Sequence, residues 1–137
     1  IGATSASRRT LEDLVALLKS RGKPVSAANR ARLADCAIAV QVLRFMGYHI
    51  AAEQEKTGVA PTLPAQMAKL FASELNQRIT TVSVQALGMD AQAHPSASTL
   101  DRWAYSFLRA VANTIEGGTS EIQRNVIATR GLGLPRG

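Results

Sequence analysis

The sequence predicts an all-α protein, an antiparallel up-and-down four-helix bundle with a short C-terminal helix. Three observations carry this. Apolar residues recur at helical spacing along most of the 137-residue chain. No stretch alternates apolar and polar residues as a strand would. Gly and Pro punctuate the periodic runs at intervals that leave short connections between long helices.

Leu11, Leu14, Val15 and Leu18 mark the first helix, and "RGKP" (Arg21 to Pro24) ends it with Gly and Pro in the expected order. The second helix is predicted from about Ala28 to Lys56. Leu33, Cys36, Ala37, Val40, Leu43, Gly47 and Ile50 form one stripe on it. Ile38, Val42 and Phe45 form another, so the helix is expected to be covered on two sides. "TGVAPTLP" (Thr57 to Pro64) is a turn, with Thr62 as N-cap and Pro64 in the first turn of the third helix. That helix carries Leu63, Met67, Leu70, Leu75, Ile79, Val82 and Ala86 and stops at Gly88. Residues Gly88 to Ser98 form a loop. Thr99 caps the fourth helix, which sets Leu100, Trp103, Phe107, Val111 and Ile115 on one face. Gly117-Gly118 breaks it. A short helix then runs from Ser120 to about Arg130, and Gly131 and Pro135 close the chain.

Composition narrows the function classes. Hydrophobic residues at 46% and charged residues at 19% describe a globular chain able to bury its own core. Cys36 is the lone cysteine, so no intrachain disulfide forms, and it reads as a small buried hydrophobe in a reducing, cytoplasmic compartment. No apolar run reaches the roughly 18 residues of a membrane span, and no signal peptide is recognised. The net charge of +6 admits nucleic-acid binding, but the basic residues are dispersed and no aromatics interleave with them. Solvated helix faces and helix C-termini account for them better, so no nucleic-acid partner is expected. Some of these arginines could instead meet the phosphates of a cofactor or acyl carrier.

The chain contains no metal-ligand spacing, no nucleophilic triad and no glycine-rich phosphate cradle. The candidate site is "TIEGGTSEIQR". Gly117-Gly118 frees the backbone and leaves it uncovered by side chains. Thr119 can cap the last helix, with Glu121 at its positive end. Bare backbone before a helix start suits an anion or a planar ligand. A tight reversal that uses the glycines for geometry alone is the competing interpretation.

"IEGGTSEIQRNVIATRGLGLP" resembles the C-terminal signature of acyl-CoA dehydrogenases, in the form found in their actinobacterial branch. "RARLADCAIAVQVLRFMGYHI" and "PAQMAKLFASELNQRI" resemble the paired long helices of that family's C-terminal bundle. "VQALG" (Val84 to Gly88) sits where the family carries Gln-x-x-Gly-Gly. The resemblance covers nearly the whole chain. It implies a single domain over residues 1–137, matching the last of three family parts, with the N-terminal helical and middle β domains absent. It also implies FAD-dependent α,β-desaturation of an acyl-CoA thioester. FAD would lie across a subunit interface, against Gly117, Gly118, Thr119 and Glu121, with Gln85 near its adenine end. Gly88-Met89 replaces the usual Gly-Gly, and "KSRGKP" lacks the Phe of a further flavin contact.

In many members the catalytic Glu directly precedes the Gly-Thr of this loop. That position is Gly117 here, so no catalytic residue is assigned within the chain. Three sources of the base stay open. Glu116 serves after re-registration of the loop; a Glu lies upstream of Ile1, as in the isovaleryl-type branch; or the chain is a silent partner in a heteromeric dehydrogenase. The chain alone is expected to be inactive. Implied partners are the acyl-CoA, copies of the chain or a related subunit in a dimer or tetramer, and an electron-transfer flavoprotein. The rival functions are a non-catalytic assembly module and a basic helical nucleic-acid binder.

Overall fold

The computed structural model describes residues 2–91 and 101–135. Helix α1 spans Gly2–Ser20, α2 Ala27–Thr57, α3 Thr62–Leu87, α4 Asp101–Asn113 and α5 Ser120–Val126. Local chemistry sets the bounds. Ser26 Oγ accepts from the Asn29 amide at 3.2 Å and starts α2. Gly58, at φ 73°, ends it and donates its N–H to Gln54 O at 2.8 Å. At α3 the cap position is Pro61 and no side chain caps the helix; Thr62 is its first residue, one place later than its predicted role. A 3-10 turn, Gly88–Ala91, follows α3. The predicted cap Thr99 and its neighbour Leu100 lie outside the described residues.

The last helix does not stay α-helical to Arg130. After Val126 the backbone widens into a π turn, Ile127–Gly131, with Leu132 N donating to Ile127 O at 3.2 Å. The turn brings Gly131 flush against α3. A Cβ there would stand 2.8 Å from Leu63 Cδ2.

Helix α3 holds the middle of the bundle and packs against α1, α2, α4 and α5. One core cluster joins Leu11 of α1 to Cys36, Val40 and Leu43 of α2 and to Leu75, Ile79 and Val82 of α3. A second joins Leu14 and Leu18 to Leu87, Ala91 and Trp103, which brings α4 to the same core. Each such large side chain contributes about 1.5–3 kcal/mol on burial. Helix α2 packs against α1 and α3 and does not meet α4 among the described residues.

Two expectations about faces change here. Ile38 and Phe45 are 64% and 67% exposed, and Val42 is exposed as well. Among the described elements α2 packs against α1 and α3 alone, so its second stripe is left uncovered by the described residues. On α4, Trp103 and Ala110 are buried while Phe107 and Val111 face outward, and Ile115, in the turn after the helix, is exposed too. Steps of four residues advance the helix by about 40° beyond a full turn, so that series drifts off the buried face. Ala110, seven residues after Trp103, returns to it.

Candidate functional site

After Asn113 the chain turns through Thr114–Gly117, and Ser120 N donates back to Thr114 O at 2.9 Å. Gly117 and Gly118 adopt φ 66° and 93°, conformations that other residues reach only with strain. The buried Gln123 side chain folds beneath them. Its Nε2 donates to Gly117 O at 3.0 Å, and a Cβ on Gly118 would lie 2.7 Å from that nitrogen. Lys69 reaches across from α3, and its Nζ donates to Gly118 O at 2.6 Å. Thr119 caps α5 as expected, its Oγ1 accepting from Ile122 N at 3.2 Å. Glu121 sits exposed in the first turn of α5.

Beside this turn a groove of about 970 Å³ runs between α2, α3 and α5. It brings together three of the residues singled out from sequence, Gln85, Thr119 and Glu121. Gly117 and Gly118 are not part of its wall; they sit in the turn at its edge. The groove also holds Arg32, Arg78 and Arg124, which sequence reasoning left among the dispersed basic residues. They come from three different helices, so no run in the sequence reveals them. Arg32 Nη1 donates to Gln85 Oε1 at 2.5 Å and fixes that amide. The Arg78 guanidinium lies 5.7 Å from the Phe71 ring centroid, and Arg124 pairs with Glu74. Cys36 lines the groove from α2, and burial pushes its thiol pKa up, away from the reactive thiolate. Ser120 Oγ and Gln123 Oε1 are buried without a hydrogen-bond partner among the described residues.

Glu116 does not line that groove. It borders a second cavity of about 530 Å³ between α1, α2 and α3, together with Lys69, Asn76 and Asn113. Its carboxylate accepts from Arg109 Nη2 at 2.9 Å and from Asn113 Nδ2 at 2.6 Å. Asn113 in turn accepts from Asn76 Nδ2 at 2.6 Å. The hydrogen bond from Arg109, then that from Asn113, hold the Glu116 pKa below its ordinary value. A carboxylate so engaged is a weaker proton acceptor than a free one.

A family model described as the acyl-CoA dehydrogenase C-terminal domain matches residues 1–132. This chain belongs to the acyl-CoA dehydrogenase family. Its curated relatives include the acyl-CoA dehydrogenase IpdE1 of Mycobacterium tuberculosis, 30% identical over 99% of this chain and 34% of that protein. IpdE1 of Mycolicibacterium smegmatis is 31% identical over 93% of the chain and 31% of that protein. The chain therefore spans about a third of these relatives. Among solved structures, the Tcur3481-Tcur3483 steroid ACAD superposes with TM-score 0.83 at 22% identity, over 98% of this chain and 35% of that one. The ChsE4-ChsE5 complex of Mycobacterium tuberculosis superposes with TM-score 0.78 at 24% identity, over 98% and 37%. These two likenesses establish the fold of the acyl-CoA dehydrogenase domain, and the all-helical bundle agrees with them. Among the described residues no helix is long and apolar enough to cross a membrane.

Proposed function

We propose that this chain forms the C-terminal wall of the FAD site in a dehydrogenase that desaturates an acyl-CoA thioester between its α and β carbons. The observation that carries this reading is the meeting of Gln85, Thr119 and Glu121 in one groove with Arg32, Arg78 and Arg124. The donor set fits the group. Guanidinium forks match a diphosphate, and an amide with a capping hydroxyl suits the polar ends of a dinucleotide. Arg78, whose guanidinium has no hydrogen-bond or ion-pair partner among the described residues, would hold the charged part; Arg32 steadies the Gln85 amide at one end, Arg124 is paired with Glu74 beside Asp35, and Thr119 with Glu121 would meet the part nearest the turn. FAD supplies the hydride acceptor for the oxidation. This chain's residues bind and orient; they move no proton. Glu116 is hydrogen-bonded to Arg109 and Asn113 and Gly117 has no side chain, which supports a base supplied from outside these 137 residues over one supplied by Glu116. The bound partners in this reading are the acyl-CoA, a second copy or a related subunit across the interface, and an electron-transfer flavoprotein, in the cytoplasm.

The test is to titrate FAD against the purified chain and then to assay acyl-CoA oxidation with an electron-accepting dye. The account expects saturable FAD association without turnover. Turnover by the chain alone contradicts it. A second reading, a non-catalytic assembly module, draws on the bare Gly117 and on the exposed apolar stripe of α2. Self-association with no affinity for FAD selects that reading.

A further inference from the structure

The Gly117–Gly118 turn is held from two directions, and the two holds differ in kind. Gln123 belongs to the helix that the turn leads into, so its bond to Gly117 O is local. Lys69 lies 49 residues away on the central helix, and its bond to Gly118 O is the side-chain tie from α3 to the paired glycines. Together they occupy both glycine carbonyls. The amides of Gly117, Gly118 and Thr119 donate to no acceptor among the described residues. With the carbonyls tied down toward α3 and α5, the amide groups are the polar edge left for a bound molecule. An ammonium donor makes a charge-assisted bond, stronger than a neutral one. It also resists the drift that two consecutive glycines would otherwise allow.

We propose that Lys69 is a positioning residue. It fixes the plane of the Gly118 peptide and thereby holds the turn's unpaired amides in one orientation at the edge of the groove. This rests on the FAD reading above for its function, and on the 2.6 Å bond for its geometry. Lys69 also borders the Glu116 cavity and does not line the groove, so it holds the turn from the side away from the groove residues. A lysine buried only for packing would bury its stem and leave its ammonium in water; here the ammonium is spent on a backbone carbonyl.

The test compares the chain with Lys69→Arg and Lys69→Met. Arginine keeps a charged donor; methionine keeps the apolar stem alone. First, ¹H–¹⁵N spectra are recorded without ligand. The Gly117, Gly118 and Thr119 signals should move and lose order in Lys69→Met, stay near their places in Lys69→Arg, and leave the α1–α3 core signals unchanged. Second, FAD is titrated against each protein. Lys69→Met should weaken FAD association at least tenfold and Lys69→Arg less than threefold, at equal folded fraction. If the parent chain binds FAD and Lys69→Met binds it equally well, the positioning role is overturned while the FAD reading stands. If the parent chain binds no FAD, that reading fails, and the turn signals decide for Lys69 by themselves. Unmoved Gly118 signals in Lys69→Met overturn the proposal in every case.

Discussion

Arg109 and Glu116 form an ion pair at 2.9 Å across the end of α4, and Asn113 donates to the same carboxylate. This pair fastens the last turn of the helix to the segment that leads into the glycines. It also holds the Glu116 carboxylate in its ionised form, a weaker proton acceptor than an unpaired one. Because the folded-state pKa is depressed, the ionised form contributes stability above the ordinary carboxylate value, and that contribution is lost as pH falls through the depressed one. The group is solvent-exposed, so the effect is small and screened by salt. Denaturant midpoints of the chain and of Glu116→Gln should converge toward acid and separate toward neutral pH. Curves that stay parallel from acid to neutral rule the pair out as a contributor.

Gly118 combines a φ of 93° with a Gln123 nitrogen where a Cβ would go. Gly118→Ala should lose about 1–3 kcal/mol to backbone strain and displace the Gln123 amide from Gly117 O. Gly58→Ala, also at positive φ but with open space around it, serves as the comparison, and strain alone should set its cost. Urea unfolding reads both. Equal losses at the two sites would show that the Gln123 contact carries no weight.

Trp103 is 2% exposed and ties α4 to Leu14 and Leu18. Trp103→Ala should cost about 3–5 kcal/mol by leaving a cavity in the second core. Phe107→Ala, on the outward face of the same helix, should cost much less. Thermal unfolding followed by far-UV circular dichroism separates them. A loss below 1 kcal/mol at Trp103 would mean that α4 is not held through this core.

Ile38, Val42 and Phe45 expose an apolar stripe along α2. An exposed row of this kind favours burial against another surface. The chain should sediment as more than a monomer at tens of micromolar, and Phe45→Glu should return it to monomer without loss of helix. A monomeric parent chain would mean that this stripe serves some surface other than a second copy.

How much of this was legible in the sequence varied with the physics. The existence and order of the helices followed from periodicity, because α1, α2 and α3 each repeat apolar residues along one buried line. Thr119 was legible as a cap because capping is local chemistry. The burial of faces was not, since it depends on which helix lies on which side. Ile38 and Cys36 look equally apolar in the chain, yet one faces solvent and the other the core. The Gly117–Gly118 break was visible, but Lys69 and Gln123, which hold it, were not. Lys69 acts from a distant helix, and Gln123 looked like one more polar residue on a short helix. Arg32, Arg78 and Arg124 converge only after folding.

The most direct test of the central claim is a FAD titration of the ¹⁵N-labelled chain, mapped residue by residue. The account predicts saturable shifts at Gln85, Thr119 and Glu121 and along the arginine-lined groove between α2, α3 and α5. Shifts confined to another face, such as the cavity bordered by Glu116, or no shifts at FAD concentrations far above that of the protein, would contradict it.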